Sequence, residues 1–164
     1  MFGSPEFESL NSVTYLYLRE LSEPKDNSLR LVVDEAVPNQ SAAKPTLPDL
    51  PELEEILKKS APIESTENCK RYEIRWMHYV AYLVTEECVG SCGDYDDEAY
   101  TGRLFRIYTK SHFLDHLARD TGAHSKPILH FKLACLNHLV DVASYEHPEI
   151  RVVDPPSAKS FRIQ

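Results

Sequence analysis

A strict alternation of polar and apolar residues over Arg71–Trp76 constrains the fold of this chain more than any other feature. Tyr72, Ile74 and Trp76 fall on one side of an extended backbone, and the charged residues between them fall on the other. Successive side chains of a β-strand point to opposite faces of its sheet, so this segment is predicted to be a strand with one buried face. The residues that follow, up to Val84, are apolar on both sides, which predicts that the same strand continues into the centre of a sheet.

The remaining patterned segments predict further strands and two short helices. Strands are expected over 13–18, 29–33, 103–109 and 150–153, a β-hairpin over 128–142, and helices over 51–59 and 111–120. The first two strands flank a run of turn-forming residues and should pair as a hairpin. Because the strands follow one another without alternating helices, we predict an α+β fold in a single domain, with a mainly antiparallel sheet and two short helices.

Composition and proline spacing divide the chain into one domain and its flanks. A length of 164 residues suits one domain. Residues 1–7 contain the run Gly-Ser-Pro-Glu-Phe, which is typical of a cloning site, and we interpret them as a vector-derived tail outside the fold. The domain is expected over 8–154, with a proline-rich connection at 38–62, and residues 155–164 are expected to form a C-terminal tail.

The charge balance excludes some classes of partner. The net charge is −8, and no cluster of lysine and arginine is visible along the sequence. Binding to DNA or RNA depends on basic residues that neutralise phosphates, so no nucleic acid is expected as a ligand. A basic protein is the expected partner, because opposite charges speed the encounter. No apolar run reaches the ~18–20 residues that span a bilayer, so no membrane is expected as a partner.

The N-terminal sequence and the cysteines predict a cytoplasmic protein. No basic stretch followed by an apolar stretch opens the chain, so no secretory signal is predicted. The four cysteines are therefore expected to be reduced. Cys69 and Cys135 are predicted to be buried, whereas Cys88 and Cys92 are close enough in the sequence for a bridge, which stays open.

The densest group of acidic residues marks the predicted partner-binding site. Four carboxylates and two tyrosines are interleaved there: Asp94, Tyr95, Asp96, Asp97, Glu98 and Tyr100. So many carboxylates cannot be buried together without partners, so they must face water or another protein. Tyrosine is enriched at interface hot spots. The oxygen spacing resembles the start of a calcium loop, but Ala99 and Phe105 occupy the positions of the required glycine and glutamate, so no EF-hand is predicted.

Candidate catalytic and metal-binding residues form the alternative. The cysteine pair and His112-x3-His116 have spacings compatible with metal ligands, but neither completes the four-ligand set of a zinc site, so no metal or cofactor is expected. A small enzyme that uses Cys92 or the two histidines with Asp115, with or without a metal, stays open.

The other polar residues in apolar segments are interpreted structurally. His138 and Asp141 flank an apolar strand, and we expect them to form a hydrogen-bonded pair. The chain contains no Gly-x-Ser-x-Gly elbow and no glycine-rich phosphate loop. The sequence therefore matches neither of these common hydrolase and nucleotide-binding motifs.

Three segments of the sequence resemble a known group of proteins. They are Tyr15–Leu21, Arg103–Leu117 and Cys135–Ser144, with the sequences YLYLREL, RLFRIYTKSHFLDHL and CLNHLVDVAS. They are similar to segments of small, acidic, uncharacterised bacterial proteins of the toxin-immunity type. The resemblance covers the chain between residues 13 and 153. It implies a protein that binds and neutralises a partner, and it transfers no catalytic residue.

The leading interpretation is a non-catalytic protein-binding module, an immunity-type inhibitor of a basic partner protein. The small enzyme described above is the alternative from another class. A third hypothesis is a subunit that forms a homodimer through an exposed sheet edge.

Overall fold

The computed structural model of the chain describes residues 3–42, 52, 57, 60–88, 97–120 and 126–153. Two antiparallel sheets and two short helices occur in this part, which confirms the predicted α+β fold class. The helices are α1, Pro5–Ser12, and α2, His112–Asp120. No helix among the described residues has the length and apolar character needed to cross a membrane. The strands are β1 Tyr15–Ser22, β2 Leu29–Pro38, β3 Ile63–Glu64, β4 Arg71–Trp76, β5 Ala81–Glu86, β6 Ala99–Thr101, β7 Phe105–Lys110, β8 Leu129–Ala134, β9 His138–Ser144 and β10 Glu149–Val153.

Each sheet has five strands. The first has the order β1-β2-β4-β10, with the short β3 paired to the end of β2, and the second has the order β5-β9-β8-β7-β6. The two predicted hairpins are confirmed, since β1 pairs with β2 and β8 pairs with β9, both antiparallel. The predicted edge strand is β10, which pairs with β4.

The hydrophobic core lies between the two sheets. From the first sheet, Tyr72, Ile74 and Trp76 are each at most 2% exposed, which confirms the predicted buried face of β4. From the second sheet, the rings of Phe105 and Phe131 stack with their centroids 5.9 Å apart. The Trp76 ring contacts both of them, with centroid distances of 6.3 Å and 5.8 Å. This one side chain therefore packs the two sheets together.

The apolar run after Trp76 does not continue the same strand into the centre of a sheet, and that prediction is wrong. β4 ends at Trp76, and β5 belongs to the other sheet, where it is an edge strand. The connection between them is held by hydrogen bonds from Tyr79 N to Asn27 O at 2.8 Å and from Val80 N to Ala143 O at 2.7 Å. Apolar residues on both sides of this strand therefore do not indicate burial on both faces.

Helix α1 packs against the core. The Ser4 side chain accepts a hydrogen bond from Phe7 N at 3.2 Å and caps the helix. Phe7 and Leu10 are buried, and the Phe7 ring meets Phe105 edge to face at a centroid distance of 6.1 Å. The structure therefore differs from the predicted tail over residues 1–7, because the apolar ring of Phe7 belongs to the core.

Two predicted segments fall largely or wholly outside the described residues. Of the helix predicted over 51–59 in the proline-rich connection, only Glu52 and Leu57 are described, and both are helical. The predicted C-terminal tail over 155–164 lies entirely outside them.

The turn between β8 and β9 joins the second sheet to the edge of the first. The Asn137 side chain accepts a hydrogen bond from Leu18 N and donates one to Leu18 O, each at 3.0 Å. Leu136 N also donates to Leu16 O at 2.8 Å. These groups pair with the outer edge of β1 much as a neighbouring strand would. We call this set of hydrogen bonds the Asn137 bridge.

Candidate functional site

The predicted acidic site lies partly outside the described residues. Asp94, Tyr95 and Asp96 fall outside this part of the chain, and Asp97, Glu98 and Tyr100 fall within it. Asp97 Oδ1 lies 3.1 Å from His112 Nε2, and Glu98 accepts a hydrogen bond from His112 N at 2.9 Å. Carboxylates are stabilised at this position because the first N–H groups of a helix lack intrahelical partners. The Asp97 side chain remains 56% exposed, so its charge faces solvent.

Tyr100 is half-buried beside the carboxylates. It pairs with Tyr108 across β6 and β7, and the two ring centroids are 5.0 Å apart. The Arg106 guanidinium lies over the Tyr100 ring at 4.4 Å, a cation–π contact.

The candidate histidines lie on the surface of α2. His112 and His116 are exposed, as their spacing predicts, and Asp115 lies in the first turn of the same helix. Within the part of the chain that the structure describes, no three His, Cys, Asp or Glu side chains are grouped so that they could hold a metal ion.

Two of the described cysteines, Cys88 and Cys135, favour the protonated thiol. Cys69 and Cys135 are buried, as predicted, and burial raises the pKa of Cys135 to about 12. Cys88 is an exposed free thiol, and its hydrogen bond with Glu86 raises its pKa. Because the thiolate is the nucleophile, these shifts favour the unreactive form. Cys92 lies outside the described residues.

A buried chain of polar groups connects α2 to the second sheet, and the sequence did not predict it. Ser111 Oγ lies 2.8 Å from His130 Nδ1, and His130 Nε2 lies 2.8 Å from Asp141 Oδ1. Lys132 Nζ lies 3.3 Å from the same carboxylate oxygen. Ser111 and His130 are each 2% exposed. The His130 ring also stacks on Tyr108, with centroids 4.4 Å apart. We call Ser111, His130 and Asp141 the His130 relay.

The His130 relay has the composition of a serine hydrolase triad but not its arrangement. In such enzymes the hydroxyl contacts Nε2 of the histidine and the carboxylate contacts Nδ1. Here the two ring nitrogens are exchanged. Ser111 Oγ also accepts a hydrogen bond from Leu114 N at 3.2 Å and so caps α2. The buried hydroxyl offers no surface to a substrate, so the geometry supports a structural connection.

The predicted pair of His138 and Asp141 is wrong. The two residues are separated by an odd number of positions within β9, so their side chains point to opposite faces of the sheet. Asp141 instead shares its face with His130 of the neighbouring strand. The Nδ1 atom of His138 is buried without a hydrogen-bond partner among the described residues.

Asp34 anchors an ion-pair network on the outer face of the first sheet. It accepts hydrogen bonds from Arg71 Nε at 2.5 Å and from Arg19 Nε at 2.8 Å. Burial raises the pKa of the Asp34 carboxyl, but the hydrogen bonds from the two arginines outweigh it and hold the pKa below its usual range.

A second carboxylate, Glu73, binds two arginines on the same face. Arg30 Nε lies 2.6 Å and Arg75 Nε 2.8 Å from its oxygens, and Arg30 also reaches Glu20 at 2.6 Å. Burial again raises the pKa of Glu73, and the hydrogen bonds from the arginines lower it by more. These arginines come from different strands, which is why no basic cluster is visible along the sequence.

Asp34→Asn is expected to lower the free energy of unfolding by roughly 2–3 kcal/mol near neutral pH, because two guanidinium groups lose their charged partner. A carboxyl with a lowered pKa in the folded state stabilises the fold above its unfolded pKa of ~3.9, and this contribution is lost as the pH falls through the folded value. The difference between the two proteins should therefore shrink below about pH 4. Urea unfolding of both proteins at a series of pH values measures this difference in the free energy of unfolding.

Glu149→Gln is the matched control, since Glu149 and Arg151 form an exposed pair with side chains 53% and 58% accessible. It should cost less than about 1 kcal/mol. An Asp34→Asn effect that stays constant down to acid pH would contradict the assigned role of the carboxylate.

The outer edge of β5 is apolar and exposed. Leu83 is 50% exposed and Val84 is 39% exposed. Among the described strands only β9 pairs with β5, so no described strand covers the other side of β5. Glu86 ends the strand and Glu87 follows it, and both are exposed. Two exposed carboxylates therefore lie at the end of this apolar edge, whereas β6, the strand that follows Asp97 and Glu98, lies at the opposite edge of the same sheet.

Comparison with known proteins identifies no family for this chain. The chain matches no protein-family model, no curated protein and no solved structure. The resemblance to immunity-type proteins stays a prediction.

Proposed function

We propose that this chain is a non-catalytic protein-binding module of the immunity type, which binds a basic protein through the open side of β5 and the acidic residues beside it. The exposed strand is the observation that carries the proposal. Its residues Leu83, Val84 and Glu86 and the following Glu87 are all exposed, and we call these four residues the β5 edge.

The β5 edge offers a partner both main-chain groups and apolar area. The outer N–H and C=O groups of an edge strand can pair with an extended segment of another chain. Burying apolar surface contributes roughly 25 cal/mol per Å², and Leu83 and Val84 supply such surface. Soluble proteins usually blunt or cover an edge strand of this kind, so an exposed apolar edge favours a binding role.

Charge favours a basic partner over a second copy of the chain. The net charge is −8, and Glu86, Glu87 and Asp97 are exposed. Two identical chains would repel each other, whereas a basic protein would be attracted and would associate faster. The resemblance to immunity-type proteins points to the same class of partner.

The buried His130 relay supports a non-catalytic role. Its hydroxyl is inaccessible, and the raised pKa of Cys88 disfavours that thiol as a nucleophile. The enzyme alternative rests on Cys92, which lies outside the described residues, and on the exposed histidines of α2.

The double substitution Leu83→Ser, Val84→Ser tests the proposal. It is expected to weaken binding to a basic partner protein at least tenfold, mainly through faster dissociation, which surface plasmon resonance measures. Glu86→Gln with Glu87→Gln should instead slow association and flatten its salt dependence. All four side chains are exposed, so stability should change by less than about 1 kcal/mol.

Val152→Ser is the matched control, because Val152 is 52% exposed on the edge strand of the other sheet. It should leave both rates unchanged. If the serine double variant binds as tightly as the original protein, the β5 edge is not the binding surface. A dimer of the original protein that the same substitutions dissociate would assign the edge to a second copy.

A further inference from the structure

A cavity of about 340 Å³ lies at one end of the first sheet. Its walls come from the β1–β2 turn, the start of β2, the end of β4 and the first residues of the β4–β5 connection. The volume falls within the range of ~300–1,000 Å³ that is typical of sites for small molecules. No residue of the β5 edge lines it.

Hydrogen bonds fix the walls of this cavity. Ser28 Oγ donates to Lys25 O at 2.8 Å and accepts from Lys25 N at 2.9 Å, which closes the turn. Asn27 has a φ of 60°, in the left-handed region that asparagine tolerates better than most residues. Its carbonyl accepts a hydrogen bond from Tyr79 N at 2.8 Å, so the turn and the β4–β5 connection are held together. A preformed site binds a ligand at a lower entropic cost.

The polar part of the lining is mainly cationic. Lys25, Arg30 and Arg75 line the cavity, with Asp26 as the carboxylate among the lining residues. The Glu73 carboxylate contacts the Nε atom of each arginine and also the Nη2 atom of Arg75. Within the described residues, Nη2 of Arg30 and Nη1 of Arg75 have no hydrogen-bond partner and remain as donors. Guanidinium groups recognise carboxylate and phosphate through paired donors of this kind.

The remaining lining is apolar. Pro24 and Met77 contribute exposed side chains, and the almost fully buried Leu29 and Trp76 complete it. Met77 is 61% exposed, and an exposed thioether adapts to ligands of different shape. A few cationic groups beside an apolar wall are typical of sites that bind an organic ion.

We propose that this cavity binds a small organic anion, a carboxylate or phosphate attached to an apolar group. Lys25, Arg30 and Arg75 hold the anion, and the apolar group contacts Pro24 and Met77 beside the buried Trp76. The site goes beyond the proposed function, and its occupation does not depend on the β5 edge.

Trp76 is the single tryptophan of the chain and reports binding directly. Titration with benzoate and with phenyl phosphate should change its fluorescence in a saturable way and raise the melting temperature by mass action. The two probes distinguish a carboxylate from a phosphate site. Benzyl alcohol, which has the ring without the charge, and inorganic phosphate, which has the charge without the ring, should each bind at least tenfold more weakly than the better probe.

Substitutions assign the binding to this cavity. Lys25→Gln combined with Arg75→Gln should weaken binding of the better probe at least tenfold, and Lys25→Gln alone by several-fold. The single variant keeps every hydrogen bond to Glu73, so it tests the site even if the double variant unfolds. Arg151→Gln is the control, because Arg151 is an exposed arginine outside the cavity lining, and it should bind like the original protein.

Three results would each overturn the proposal. The first is the absence of a saturable change with both anionic probes. The second is equal binding of benzyl alcohol or of inorganic phosphate, since then either the cations or the apolar wall contribute nothing. The third is equal weakening by Lys25→Gln and Arg151→Gln, which would indicate a general effect of charge.

Discussion

Trp76→Ala is expected to lower the free energy of unfolding by about 3–5 kcal/mol, the usual cost of truncating a large buried aromatic residue. The side chain is 2% exposed and contacts Phe105 and Phe131 of the opposite sheet. The substitution removes apolar contact area and leaves a cavity between the sheets. Because the substitution also removes the fluorophore, unfolding in urea should be followed by far-UV circular dichroism.

Trp76→Phe separates the ring from its N–H group. The Nε1 atom is buried without a hydrogen-bond partner among the described residues. Removing this unsatisfied donor offsets part of the lost area, so we expect a cost well below that of the alanine variant. Met77→Ala, at a neighbouring position that is 61% exposed, should cost less than about 1 kcal/mol. A Trp76→Ala cost as small as that of Met77→Ala would show that the core does not depend on this ring.

His130→Ala is expected to lower the free energy of unfolding by about 3 kcal/mol, the second largest effect. The ring is buried, and both of its nitrogens are hydrogen-bonded. Its removal leaves the Ser111 hydroxyl and the Asp141 carboxylate without this partner and opens space beside Tyr108. Buried polar groups that lose their partners retain the cost of desolvation.

The His130 relay also makes a prediction about local order. Since it attaches the start of α2 to the second sheet, His130→Ala should speed amide hydrogen exchange in α2 more than in β2 or β4. A double-mutant cycle with Ser111→Ala measures the coupling, expected at 0.5–3 kcal/mol for residues in one network. Strictly additive effects and uniform exchange would show that His130 and Ser111 are not coupled and that the relay does not hold α2 on the second sheet.

Local patterns predicted the secondary structure where one face of a strand is buried. The alternation at Tyr72, Ile74 and Trp76 indicated a buried face, and all three side chains lie in the core. The hairpin β8–β9 and the cap at Ser111 also follow from short-range signals. Each of these features depends on residues close in the sequence, which is why the sequence alone was sufficient.

Sheet membership could not be predicted in the same way. The alternating pattern of Arg71–Trp76 passes without a Gly or Pro into the apolar run that ends at Val84, yet β4 and β5 lie in different sheets. Whether a strand is central or at an edge depends on which distant segments pair with it. For the same reason the ion pairs of Asp34 with Arg19 and Arg71 could not be predicted, since the three residues lie in three different strands.

The candidate site was predicted only as far as composition allows. The acidic residues Asp97 and Glu98 were visible as a charge cluster, and both lie beside α2. The exposure of Leu83 and Val84 was not, because it depends on which distant segments pack beside β5. His130 was missed although a signal existed: it is an ionisable residue within the apolar alternation of β8, where burial demands a partner.

The Asn137 bridge has a consequence for the speed and order of folding. It joins Leu18 to Asn137 across 119 positions of the chain, and contacts between such distant residues are entropically costly to form. We therefore expect the bridge to form after the hairpins, late in a folding reaction that takes milliseconds to seconds. Asn137→Ala should then speed unfolding and leave the folding rate nearly unchanged, which stopped-flow kinetics over a range of urea concentrations would measure. An equally slowed folding rate would instead place this contact in the folding nucleus, with the two sheets meeting early.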